Sequence, residues 1–412
     1  MKHKQGSGLF LFAVITVFCI FALLGLSDNG KDFISNYFEN AGNNIENIKN
    51  TVFNKSAPSA SVQPDAENGN TSAPQNSGIP ASNKVVNVPF ENADSMKYAV
   101  YKNDLICTNK ISLMAFDKHG KSKWAVAVSY SKPILKTSGN YILMADKGGK
   151  LISVFIGDKM LYTVNTDDII NYASISSKGD VIVITEKALY NSCVLVYNKE
   201  GEVIFSRNIG SSEVIAVDMS PSRRIAAALL NTDENISSEI QMWDITSEGY
   251  SENIILEDTI AFELNFSGEM LSAVSDSGIY GINQKCKNTW TVKPNSAVDK
   301  LISTRADSSG NRISVFDNNA DSYIKIYDSH GRLRKEFSSD IIPDFAAVHS
   351  SVIAYNNERR VFFGSYTKPM NTYDSAGNIS EGILIDSGAL VLVHPSSLEF
   401  ININEFIKTA AQ

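Results

Sequence analysis

The residues nearest to a metal-ligand pattern are Asp317, Asn319 and Asp321, in the run Asp317-Asn318-Asn319-Ala320-Asp321 with Asp328 eleven positions after its start. Side-chain oxygens at alternate positions suit Ca²⁺, a hard cation that prefers oxygen ligands. A calcium loop of the EF-hand kind needs glycine at its sixth position and a bidentate glutamate at its twelfth. Here Ser322 and Asp328 stand in those places. Asn and Asp are also the common formers of tight turns, so the run reads as a polar hairpin loop and no metal is expected. Asn231-Thr232-Asp233-Glu234-Asn235 and Asn356-Asn357-Glu358-Arg359-Arg360 read as loops of the same kind.

A hydrolase would need a nucleophile beside a base. No Gly-x-Ser-x-Gly elbow occurs in the chain. Of the five histidines, His3 lies at the extreme N-terminus, and His119 and His330 fall at matching turns of a repeat. His349 and His394 remain, and neither has a motif around it. Cys19 sits inside an apolar run, while Cys107, Cys193 and Cys286 are far apart with no Cys-x-x-Cys or Cys/His spacing. They read as buried structural thiols, with a disulfide among the last three left open. No catalytic residues, cofactor-binding residues or cofactor are expected. A net charge of −8 argues against nucleic acid, whose phosphates call for clustered Lys and Arg.

The elements that carry these residues change character along the chain. Residues 1–8 form a short basic tail, read as cytoplasmic. Leu9 to Leu26, LFLFAVITVFCIFALLGL, is unbroken and apolar, about long enough to cross a bilayer as one helix. Lys2 and Lys4 precede it and Asp28 and Asp32 follow, so the N-terminus is placed inside and the rest of the chain outside the membrane. The alternative is a cleaved signal peptide, for which Gly25-Leu26-Ser27 is a poor site, so an uncleaved signal anchor is the expectation. Across residues 27–53, Ile34, Phe38, Ala41, Ile45, Ile48 and Val52 mark an apolar seam at helical spacing. Residues 54–84 are rich in Ser, Ala, Pro and Asn and too poor in large apolar side chains to fold. They read as a linker with a reach of roughly 30 Å.

From Val85 to the end, residues 85–412, short apolar runs alternate with turns rich in Gly, Asn, Asp and Ser, the signature of an all-β domain. Turns that open at Gly139, Gly179, Ser222, Gly268, Gly310 and Ser350 recur every 40 to 46 residues. That period suits propeller blades of four strands. One blade is expected from Ile170–Ser176, Val181–Thr185, Val194–Tyr197 and Glu202–Arg207. A frame of small-x-Asp-x-x-Gly-x-x-x-Trp recurs as Asp117, Gly120 and Trp124, as Asn198, Gly201 and Phe205, and as Asn283, Cys286 and Trp290. Its aromatic is placed on an outer strand, between neighbouring blades. The last unit, Gly382 to Asn404, shows only three strands, and Val85–Phe90 is expected to supply the fourth and close the ring. Eight blades are counted, with seven the alternative if a degenerate unit is an insertion. The stretch Thr367 to Ser380 is the least strand-like.

The frame resembles the repeat of quinoprotein-like and WD40-like β-propellers. The tether, linker and propeller together resemble an uncharacterised family of membrane-anchored proteins of Gram-positive bacteria. Quinoprotein dehydrogenases carry a vicinal Cys pair and acidic Ca²⁺ ligands, and this chain has no such Cys pair. The resemblance therefore implies a single-pass, extracytoplasmic, non-enzymatic scaffold. Such a scaffold binds an envelope protein, a peptide or a wall-associated ligand at a propeller rim, where the polar loops gather. The alternative is a quinone- or Ca²⁺-dependent propeller enzyme.

Overall fold

Alternation of apolar and polar residues makes strands wherever one face can be buried, and from Val85 onward it does so repeatedly. The structure, a computed structural model, describes residues 84–410 apart from 211, 233–235, 246–250, 297–298 and 319–321. The membrane span, juxtamembrane helix and linker expected from the sequence lie outside the described residues, save Lys84 at the end of the linker. Among the described residues no helix is long and apolar enough to cross a membrane.

The described strands form eight four-stranded antiparallel sheets, seven of them meanders in chain order. They are the blades of one propeller: 97–127, 133–165, 170–209, 213–257, 261–292, 300–339, 346–374 and 381–402. The eighth blade is completed by Val85–Pro89, which pairs antiparallel with Ser397–Asn402, Val85 opposite Ile401 and Pro89 opposite Ser397. Closing the ring with the two ends of the domain leaves no blade short of a strand and covers an edge that would otherwise template aggregation. The stretch around Thr367 to Ser380 does hold a strand, the four-residue Asn371–Asp374, the outer strand of blade 7. Past the last blade, Ile403–Ala410 forms a helix that the sequence did not announce. Phe406 on it meets Phe363 edge-on at 5.2 Å, docking the helix onto blade 7.

The core is divided among the junctions. Eight buried clusters among the described residues each join two neighbouring blades. The expected outer-strand aromatics fall in equivalent registers: Trp124 opposite Ala115, Phe205 opposite Val196 and Trp290 opposite Gly281. Each packs in the cluster shared with the next blade, and Phe205 stacks on Trp243 of blade 4 at 5.9 Å. In blade 6 the same register holds Lys335 opposite Ile326.

The recurring Asp or Asn of the frame is explained by hydrogen bonds. Asp117 Oδ1 accepts the amides of His119 and Lys121, both at 2.9 Å. Asn198 Oδ1 does the same for Glu200 and Glu202, and Asn283 Oδ1 for Lys285 and Lys287. The fourth residue of the turn then has positive φ: Gly120 at 81°, Gly201 at 84° and, unusually, Cys286 at 49°. Glycine there also makes room. A Cβ on Gly331, the blade 6 equivalent, would stand 2.5 Å from the Trp290 ring of the preceding blade. At that register blade 4 holds Glu252, opposite Met242, and Cys286 packs there, buried among Met242 and Leu256.

Asp117→Ala is therefore expected to cost about 1–2 kcal/mol, two amide acceptors lost. Asp117→Asn should be near neutral, because asparagine does this work at two other turns. Urea midpoints of the two variants check it; equal losses in both would contradict the turn's role.

Candidate functional site

Each blade's second and third strands are joined on one face of the ring, together with the links from each outer strand to the next inner strand. The first–second and third–fourth turns lie on the opposite face. This follows from the meander and places the loops at 231–237, 317–322 and 357–360 on one rim.

The calcium-like pattern is divided by the same topology. Asp317 ends the strand Arg312–Asp317, and Asp328 follows the far end of the next strand, Ser322–Tyr327. A strand of that length is roughly 20 Å long, so the two carboxylates are on opposite faces and cannot share an ion. Ser322 at the supposed sixth position is buried and donates its hydroxyl to the carbonyls of Ser339 at 3.1 Å and Ile341 at 2.6 Å. Asp328 instead organises the next frame turn, its Oδ1 accepting the amides of His330 and Arg332. Asn319 and Asp321 lie outside the described residues. Among the described residues no group of three His, Cys, Asp or Glu is arranged to hold a metal. Cys107, Cys193 and Cys286 are buried free thiols. Burial pushes the Cys107 thiol far above the ordinary value and, with the Glu252 charge adding to burial, the Cys286 thiol up to about 12. These thiols are poorly suited to nucleophilic chemistry.

Of the two candidate histidines, His349 ends the inner strand of blade 7, where its Nδ1 is buried without a partner. His394 anchors a cluster. Its Nδ1 lies 2.7 Å from the Asn378 carbonyl, and its Nε2 lies 3.2 Å from Glu399 Oε2 and 3.5 Å from Ser375 Oγ. Tyr373 donates its hydroxyl to Glu399 Oε1 at 2.5 Å, and Ser375 to Oε2 at 3.1 Å. Only 8% and 6% of the His394 and Glu399 side chains are exposed.

This set of Ser, His and Glu is not a nucleophilic triad. In a triad the acid holds one ring nitrogen and the serine uses the other. Here both press on Nε2, and the serine proton goes to the glutamate. Both ring nitrogens face acceptors, which favours the doubly protonated imidazolium. The hydrogen bond to Glu399 accordingly raises the His394 pKa against the effect of burial. Burial pushes the Glu399 carboxyl up, but the donors His394, Tyr373 and Ser375 outweigh it and hold the pKa below the ordinary value. The cluster is a buried ion-pair clasp between blades 7 and 8.

The rim of the second–third hairpins offers a different kind of surface at blades 1 to 3. The hairpin in blade 3 is tighter than the sequence suggested. Its strands run to Lys187 and from Tyr190, which pair with each other and leave Ala188-Leu189 as the turn. Leu189 is 100% exposed at φ 72°. Left-handed backbone costs a non-glycine residue about 1–2 kcal/mol, and this side chain recovers none of it by packing. Tyr190 and Ile169 are exposed beside it, and Ile111 tips the equivalent hairpin of blade 1. Beside this hairpin a groove of about 610 Å³ opens between blades 2 and 3, lined by Ile169, Ala188, Tyr190, Lys150, Asp168 and Lys187 but not by Leu189 itself. Lys187 and Asp168 pair across it at 2.9 Å, and Lys150 Nζ donates to the Asp167 carbonyl.

The profile of a single sequence family covers this propeller, residues 81–403, nearly four-fifths of the chain. The chain belongs to the family of unknown function DUF5711. No curated protein matches it in sequence. Among solved structures, the DUF5711 propeller is similar to the crystal structure of a eukaryotic initiation factor, with TM-score 0.54 and 10% identity, over 75% of this chain and 84% of that one. It is similar to the WD40 domain of SCAP from fission yeast, with TM-score 0.51 and 11% identity, over 77% and 96%. BamB from Moraxella catarrhalis aligns with TM-score 0.49 and 11% identity, over 77% and 99%. At such identities the first two establish the propeller fold and nothing about partners.

Proposed function

We propose that this DUF5711 chain is a membrane-anchored, extracytoplasmic scaffold that binds a protein or peptide partner on the second–third hairpin rim and carries no catalysis of its own. One observation bears most of the weight: Leu189, wholly in water and in strained backbone, on a hairpin whose Ala188 and Tyr190 line a groove. A residue that costs stability and gains nothing within its own chain is best understood through a partner. Apolar side chains of that partner would cover Leu189, Tyr190 and Ile169, while Lys150, Asp168, Glu186 and Lys187 fix its direction at the edges. The anchor rests on the apolar run Leu9 to Leu26 and its flanking charges, and the linker gives the rim its reach. The non-enzymatic part is supported by the His394 cluster, whose geometry is that of a clasp.

Proximity labelling from the full chain in its own cells tests this. A discrete set of envelope proteins should be labelled, and the double variant Leu189→Asp with Tyr190→Ser should lose it at equal expression. An unchanged set would contradict the rim's role.

A further inference from the structure

Arg312 opens the second strand of blade 6 and is 3% exposed. Its Nη1 donates to Thr304 Oγ1 at 3.1 Å and its Nη2 to Ser272 Oγ of blade 5 at 2.9 Å. No carboxylate pairs with it among the described residues; Glu263 acts on it only through space. A buried cation held by hydroxyls alone keeps most of its desolvation penalty.

A second orphan lies at the same junction. The Trp290 indole is wedged flat between Gly281 of its own blade and Gly331 of the next, so it cannot turn its N–H to water. Nε1 lies over Gly281, the cross-strand partner of Ser272, and is buried with no acceptor.

Between the two is a cavity of about 20 Å³, whose lining includes Arg312, Trp290, Ser272, Ser267 and Ser329. That is room for one water or one ion of similar size. Gly310, at φ 81°, also lines it, and a Cβ there would stand 2.7 Å from Ser267 Oγ. Asp328 borders the cavity too. Its Oδ1 is taken by the His330 and Arg332 amides and its Oδ2 by the guanidinium groups of Arg332 and Arg334. What lines the space is an uncompensated guanidinium, the Trp290 ring and the Ser267 and Ser329 hydroxyls, while the Ser272 hydroxyl donates to the Asn265 carbonyl at 3.2 Å. Water would accept from them but must also donate, and it leaves the guanidinium charge uncompensated. A halide only accepts and supplies the missing charge. Phosphate and sulfate are too large.

We propose that the cavity between blades 5 and 6 binds a single halide ion, held by the Arg312 guanidinium.

The test uses the full chain in detergent. In crystals grown with sodium bromide, an anomalous peak is expected in the cavity within about 3.5 Å of the Arg312 guanidinium. Density there that scatters as water, or none, would overturn the proposal. In solution, the thermal midpoint should rise by a few degrees when chloride or bromide replaces gluconate at constant ionic strength, because only the folded chain has the site. Arg312→Met should remove that dependence. A midpoint indifferent to the anion in the native chain would also overturn the proposal, whether or not the variant folds.

Discussion

Replacing residues 84–89 of the full chain by a Gly/Ser segment of equal length is expected to unlatch the ring. The substitution removes the antiparallel ladder from Val85–Ile401 to Pro89–Ser397. It also takes Val86 and Val88 from the cluster they share with Leu398, Phe400 and Phe116. Two half-buried valines contribute about 2 kcal/mol, and the ladder's hydrogen bonds add a few tenths to 1.5 kcal/mol each. The sum, roughly 5 kcal/mol, is a large share of the stability of an ordinary domain. It should lower the thermal midpoint by about 10 °C or more. The bared edge of Ser397–Asn402 should also make the variant self-associate. Asn87→Ser, at an exposed position of the same strand, is the control. A monomeric replacement variant with an unchanged midpoint would refute closure by this strand.

The second large effect is expected at the His394–Glu399 clasp. Removing one partner of a buried ion pair leaves the other charge uncompensated, a loss of about 3–5 kcal/mol, so Glu399→Ala should be among the most damaging single substitutions in the domain. The pH dependence has a definite sign. The His394 pKa is raised in the folded chain, so its contribution is full below the ordinary 6.5 and is lost as pH rises through the folded value. The Glu399 pKa is lowered, so its contribution is full above the ordinary 4.5 and is lost as pH falls through the folded value. Native chain and Glu399→Gln should therefore differ most between pH 4.5 and 6.5, and less at pH values well above the His394 pKa. Denaturant midpoints measured at several pH values check this. A difference that stays flat, or grows in alkali, would mean that the imidazole is neutral and the clasp is an ordinary hydrogen bond.

Local chemistry made much of this fold legible in the sequence. The Asp117, Asn198 and Asn283 turns repeat because one side-chain oxygen serves the amides two and four residues further on, and that spacing is visible in the chain itself. The incomplete last unit pointed to Val85 because a blade short of one strand leaves an edge that the free apolar run could cover. What stayed hidden depends on contacts between blades. His394 meets Ser375 and Asn378, and Glu399 meets Tyr373 and Ser375, all from the preceding blade and its connecting loop, and nothing in their own neighbourhoods marks them. A faint signal existed in Glu399, an acid in the apolar strand Ser397–Asn402. Arg312 likewise finds Ser272 forty residues earlier. The calcium-like run failed for the opposite reason: Asp317 and Asp328 are close in sequence, but a whole strand separates them. Leu189 escaped notice because a leucine in a polar turn looks unremarkable until its backbone conformation and exposure are known.

Site-specific photocrosslinking distinguishes the two faces of the ring. A photoreactive residue would be placed in the full chain in its own cells, either at Leu189 or at Lys199, an exposed turn at the opposite end of blade 3. Discrete, reproducible adducts are expected from Leu189 and none from Lys199. Adducts from Lys199 alone, or the same adducts from both positions, would contradict binding on the second–third hairpin rim.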